Sequence, residues 1–199
     1  MMKLIYSTAS PYARTARIFI QELGLQEEVK EVFQHPFENP EELIAANPLC
    51  KVPCLITDEG QAIFDSQVIC EYLDSIAGNQ LFKDISHDWH QKTLYSLTRG
   101  LLDSAVAWQQ DKMREPEQRS EFWQERFIKS IDRGLEYFEQ RLEELPRDFS
   151  AIHVNLITVL DYLDFRHPEY QWQDKFEILK KWWVAYKEKP SIVATQPKA

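Results

Sequence analysis

Cysteine is scarce in this chain, with only Cys50, Cys54 and Cys70 among 199 residues. Three thiols leave at least one without an intrachain partner, and nothing here suggests a disulfide framework. Positive charge is short as well. Lys and Arg number 23 against 32 Asp and Glu, a formal net charge of -9. That balance argues against binding a phosphate backbone as the main task, so no nucleic-acid partner is expected. No apolar run approaches the roughly 20 residues of a membrane span. The start MMKLIYS lacks the charged and apolar regions of a signal peptide. A soluble, cytoplasmic protein without a membrane partner is expected. Five histidines are scattered without metal-ligand spacing, so neither a metal site nor a bound cofactor is expected. Internal repeats and low-complexity tracts are absent too.

What is present is enough apolar sequence, 44%, to bury a sizeable core in one or two domains. Two textures divide the chain. Lys3 to Tyr6 reads as a short strand. From Pro11 to Leu23, Ala13, Ala16, Ile20 and Leu23 recur at helical spacing, and Gly24 supplies a stop. Val29 to Phe33 alternates as a second strand. Asn39-Pro40-Glu41-Glu42 reads as N-cap, N1 proline and N3 glutamate of a short helix ending near Asn47. Val52 to Thr57 and Ala62 to Phe64 flank a hairpin turn. After Asp65-Ser66, Ile69, Tyr72, Leu73 and Ile76 share one helical face, closed by Gly78. The order is βαβαββα over residues 1–80.

From about residue 87 the chain turns helical. Leu94, Leu97, Leu101, Ala105 and Trp108 form one stripe; Ile128, Ile131, Leu135, Phe138, Leu142 and Leu145 form another. Ser150 opens a third segment through Leu163. Phe176, Leu179, Trp183 and Tyr186 mark a last helix before Pro190. Leu81 to Ser86 is the natural linker, and 87–199 an all-helical domain.

Three features of the first half carry chemistry. Ser10-Pro11-Tyr12 sits where a helix begins, and unpaired N–H groups there stabilise negative charge while a serine hydroxyl can donate to the same anion. From these residues alone a plain N-cap at Ser10, with Pro11 at N1, is the favoured account. Pro53 interrupts an apolar strand, which marks an edge, a bulge or a cis bond. A cis bond would turn the Val52 backbone outward toward an extended peptide-like ligand. Ser66, at another helix start, can bind a carboxylate while Asp65 pairs with an ammonium; an ordinary cap is the plainer account.

In combination these features resemble the glutathione S-transferase superfamily over nearly the whole chain. The matching pieces are Ser10-Pro11-Tyr12, Asn47-Pro48-Leu49-Cys50-Lys51-Val52-Pro53, and Phe64-Asp65-Ser66 leading into Ile69-Cys70-Glu71-Tyr72-Leu73. The serine-type bacterial and plant-like branch is the nearest likeness. The resemblance implies a thioredoxin-like first domain and an all-α second domain, usually as a homodimer. It implies that Ser10 hydrogen-bonds the glutathione sulfur and favours the thiolate, and that Pro53 is a cis-proline. It further implies that Val52 pairs its backbone with the cysteinyl part, that Asp65 and Ser66 hold the γ-glutamyl end, and that Lys51 reaches the glycyl carboxylate. Glutathione is then the co-substrate, and its thiol attacks an electrophilic small molecule.

Two positions depart from the family pattern. Cys50 stands where the motif usually has glycine, a strained choice if that backbone needs positive φ. His153 takes the acidic position of the capping box that Ser150 would open. Tyr6 is a rival sulfur partner, although its place in an alternating strand suits core packing. Cys50 and Cys54 are spaced C-x-x-x-C, unlike thioredoxin-type redox sites. Tyr12, Trp108 and Met113 could line an electrophile pocket, with a core role for Trp108 equally open. Arg14 and Arg17 are either solvated or paired with acids of the helical domain. The alternatives to a transferase are a non-catalytic glutathione-binding or regulatory protein and a glutathione-dependent reductase or peroxidase.

Overall fold

A computed structural model describes residues 1–198. The chain divides into two units: Met1–Phe82 joined by the segment from Lys189 onward, and Lys83–Glu188.

The first unit is built on a four-stranded mixed sheet in the order β2-β1-β3-β4. Strand β1 (Met2–Tyr6) leads into helix α1 (Pro11–Glu22), β2 (Val29–Phe33) and the short α2 (Glu41–Ala46). Strands β3 (Cys54–Ile56) and β4 (Ala62–Ile63) then lead into α3 (Ser66–Ile76). β1 pairs with β2 in parallel and with β3 antiparallel, the latter placing Ile5 opposite Cys54. The βαβαββα order and thioredoxin-like architecture are as expected. Leu4, Ile5, Ala13, Ala16, Ile18, Phe19 and Leu73 are buried in the interior. Helices α1 and α3 pack on one another.

Several boundaries differ from the sequence reading. Asn39 does not cap α2. It takes left-handed backbone at the end of a 3-10 turn, Pro36–Glu38, and α2 begins without a side-chain cap. Pro53 lies outside β3, just before Cys54, because its missing N–H cannot join the ladder. The expected linker is folded down through Phe82. Asp74 accepts the N–H groups of Gln80, Leu81 and Phe82 at 2.8, 2.8 and 3.0 Å, and Leu81 and Phe82 are buried.

The C-terminal segment, read above as part of the helical domain, belongs to the first unit. Its helix, Pro190–Ala194 (α9, after α4 to α8 below), is held by Glu22, which accepts from Lys189 Nζ at 2.6 Å and from the Ser191 hydroxyl. The buried Arg14 donates to the Ile192 carbonyl at 3.5 Å. Such a contact, 178 residues apart in sequence, leaves no local pattern to read.

The second unit is helical: α4 (Trp89–Lys112), α5 (Glu121–Glu139), α6 (Ala151–Arg166), α7 (Trp172–Lys175) and α8 (Glu177–Tyr186). α6 is its interior helix, buried along nearly its whole first half. The stripe Ile131, Leu135 and Phe138 is buried on α5, but that helix stops at Glu139 and Leu142 lies in a separate 3-10 turn. Ser150 makes no backbone cap for α6; its hydroxyl pairs with His153 Nδ1 at 2.9 Å. Among the described residues no helix is long and apolar enough to cross a membrane.

Candidate functional site

The sheet register decides which residues meet. Because Ile5 lies opposite Cys54, the residues preceding β3, Val52 and Pro53, sit beside the loop that leaves β1 toward Ser10. Leu55 lies opposite Ile63 on β4, so Phe64 and Asp65 leave the sheet at that same end. Helices α1 and α3 start there. Ser10, Val52, Pro53, Asp65 and Ser66 thus gather at one edge of the first unit, although they span 57 positions of sequence.

Each is positioned by local chemistry. Ser10 is the N-cap of α1 with extended backbone, and its Oγ accepts the Ala13 N–H at 3.2 Å. Pro11 follows at N1, where no N–H is needed. An accepting hydroxyl still carries its own proton, so capping and donation to a ligand are compatible in one side chain. Asp65 is the N-cap of α3 and accepts the Gln67 N–H at 2.9 Å, with its carboxylate exposed. Ser66 is 3% exposed. The first turn of α1 contains no acidic residue, so its positive end is not neutralised there, whereas the Asp65 carboxylate sits on the positive end of α3.

The Val52–Pro53 peptide is cis, as is Phe64–Asp65. Val52 packs its side chain against the buried cluster of Ile5, Leu43 and Cys54. Among the described residues, no hydrogen bond engages its backbone N–H or C=O. Lys51 is exposed, and Tyr12 is half-buried on the first turn of α1.

The rival candidates are placed differently. The Tyr6 ring is half-buried, not core, with the Arg17 guanidinium 4.6 Å from its centroid and Phe33 edge-on at 6.1 Å. Arg17 in turn pairs with Glu31 at 2.8 Å, within its own unit. Trp108 lies in the interior of the second unit, 4% exposed. It stacks on His167 at 3.8 Å and meets Tyr170 edge-on. This packing is that of a core residue, one of the two roles the sequence leaves open for Trp108. Met113 is exposed at the end of α4. Burial pushes the Cys54 thiol up to about 11, a protonated and unreactive state at neutral pH. Asn47, unassigned by the sequence reading, is buried and clamps the loop before Val52; its signal was the Asn-Pro pair that ends α2.

Residues 9–76 match the glutathione S-transferase N-terminal domain and residues 121–182 the C-terminal domain. A crystal structure of a glutathione transferase family member from Pseudomonas fluorescens Pf-5, with bound glutathione, is 33% identical with a TM-score of 0.93, all of both chains being covered. The chain belongs to the glutathione S-transferase family. A glutathione S-transferase from Methylobacillus flagellatus KT, with glutathione bound, is 29% identical with a TM-score of 0.89 over all of both chains. The uncharacterised GST-like protein YibF of Escherichia coli (strain K12) is 28% identical over 176 residues, 86% of each chain.

Cys50, the position where the sequence resemblance led to glycine being expected, takes left-handed backbone with φ 49°. The cysteine Sγ is turned to the Pro36 carbonyl, 3.4 Å away.

Proposed function

We propose that this protein is a glutathione transferase in which the Ser10 hydroxyl donates a hydrogen bond to the glutathione sulfur. The observation that carries this reading is the Ser10 geometry: its oxygen caps α1 through Ala13, and its proton remains for a ligand. A thiol of pKa about 8.5 is then drawn toward the thiolate by that donor and by the unneutralised N-terminus of α1. The thiolate attacks an electrophilic carbon. Val52, beside cis-Pro53, offers its unengaged N–H and C=O to the cysteinyl part of glutathione. Asp65 and Ser66 bind the ammonium and carboxylate of the γ-glutamyl end, and Lys51 reaches the glycyl carboxylate. Two relatives crystallised with glutathione support the choice of ligand.

The proposal extends to a cytoplasmic homodimer whose second substrate is an apolar electrophile. A disulfide-exchanging reductase is less well supported, because serine holds the position at the helix start and the Cys54 thiol is buried.

The test is a titration of bound glutathione, followed by thiolate absorbance near 240 nm. In the wild type the thiol should titrate at least one unit below its free value. In Ser10→Ala it should return toward about 8.5 with glutathione affinity largely kept. Loss of binding with an unchanged thiol pKa in the residual complex would remove Ser10 from the role.

A further inference from the structure

Asn47 is buried at 2% exposure and spends every polar group on its own loop. Its N–H ends α2 on the Leu43 carbonyl at 2.7 Å, and its C=O accepts the Cys50 N–H at 2.8 Å. The side-chain amide forks: Oδ1 accepts the Leu49 N–H at 3.1 Å, and Nδ2 donates to the Lys51 carbonyl at 2.9 Å. Pro48, Leu49 and Lys51 are exposed, and within this stretch Cys50 supplies the apolar contact with the Ile5, Leu43 and Cys54 cluster.

The Lys51 carbonyl belongs to the same peptide group as the Val52 N–H. That peptide is trans, since the cis bonds are Val52–Pro53 and Phe64–Asp65. In a planar trans peptide the C=O and N–H point in opposite directions. A donor that holds the Lys51 oxygen therefore aims the Val52 hydrogen the other way. On the far side of that peptide, the Val52 side chain is anchored against Ile5, Leu43 and Cys54. The plane is pinned at both ends, while its N–H has no partner among the described residues.

We infer that Asn47 is a positioning residue that aims the Val52 N–H at the cysteinyl carbonyl of glutathione by holding the opposite end of the Lys51–Val52 peptide. This rests on the glutathione-binding reading above. Asparagine suits the task because one end of its amide must accept and the other must donate. Aspartate keeps the acceptor for Leu49 and sets a second acceptor against the Lys51 carbonyl.

The experiment compares glutathione with an isostere in which the cysteinyl–glycine amide is a trans-alkene, so that the carbonyl acceptor is gone. Binding is measured by calorimetry for wild type and Asn47→Asp. The wild type should prefer glutathione by about tenfold, the worth of one well-made hydrogen bond. Asn47→Asp should bind glutathione about tenfold more weakly and lose that preference, and KM for glutathione should rise while kcat at saturation changes little. If Asn47→Asp weakens both ligands by the same factor, Asn47 merely stabilises the loop and the inference falls. Unchanged glutathione affinity overturns it as well. Should Asn47→Asp not fold, as judged by circular dichroism, Asn47→Ala provides the same ratio. Failure of the wild type to bind glutathione, or to distinguish the two ligands, would instead sink the underlying assignment of Val52.

Discussion

The Ser10 hydroxyl oxygen lies 3.2 Å from the Ala13 backbone nitrogen, one turn into the helix that Ser10 begins. On the proposed reading the same side chain also donates to glutathione, and a single substitution can separate the two roles. Aspartate caps a helix as well as serine does but brings a negative charge and no proton to donate. Ser10→Asp should keep its melting temperature within a few degrees of wild type while turnover of glutathione with an aryl halide collapses. Ser10→Ala should lose turnover and also about 1 kcal/mol of stability from the missing cap. Thermal unfolding beside steady-state rates decides the matter; equal destabilisation in both variants would discard the separation.

Cys50 holds a left-handed backbone at φ 49°. An L side chain costs about 1–2 kcal/mol in that region, and glycine escapes it. Cys50→Gly should therefore be more stable than Cys50→Ala by about 1 kcal/mol in urea denaturation. Comparing the two variants with each other removes the shared loss of the Sγ contact with Pro36. An alanine variant as stable as the glycine one would argue that the loop relaxes.

At Gly134 the helices α4 and α5 come close. A Cβ built there meets Leu101 Cδ2 at 2.5 Å and Cγ at 3.0 Å. Leu101 is 2% exposed and has little room to yield. Gly134→Ala should destabilise by about 1–3 kcal/mol although alanine is the better helix former. A rise in melting temperature would contradict the close packing.

Burial pushes His153 and His167 down from 6.5 to about 4. For His167 the Lys112 ammonium adds to burial, while the Ala105 carbonyl and the Glu169 carboxylate pull the other way. Both rings are neutral in the folded chain and take up protons more readily when unfolded. Their contribution is present above pH 6.5 and is lost as pH falls toward 4. The loss is about 1.4 kcal/mol per pH unit for each ring. The melting temperature should fall steeply across that window, and His153→Gln should flatten the slope. A slope identical to wild type would place the titrating group elsewhere.

Local chemistry already determined much of this protein. Alternation marked β2 over Val29–Phe33, helical spacing marked α1 and α3, and the serines and proline at helix starts marked where an anion could bind. Those signals act between near neighbours and survive without a fold. The sequence reading failed where the deciding partner is remote. Trp108 leaves a pocket role and a core role equally open until His167, 59 residues on, stacks on its face. The segment from Lys189 reads as the tail of a helical domain until Glu22 and Arg14 hold it to the first unit. Tertiary structure alone decided that Ser10, Val52 and Ser66 share one end of a sheet, because only strand register converts 57 positions of chain into adjacency. It also decided the orientation of one peptide group, at Lys51–Val52, since that depends on where a buried amide four residues earlier can reach.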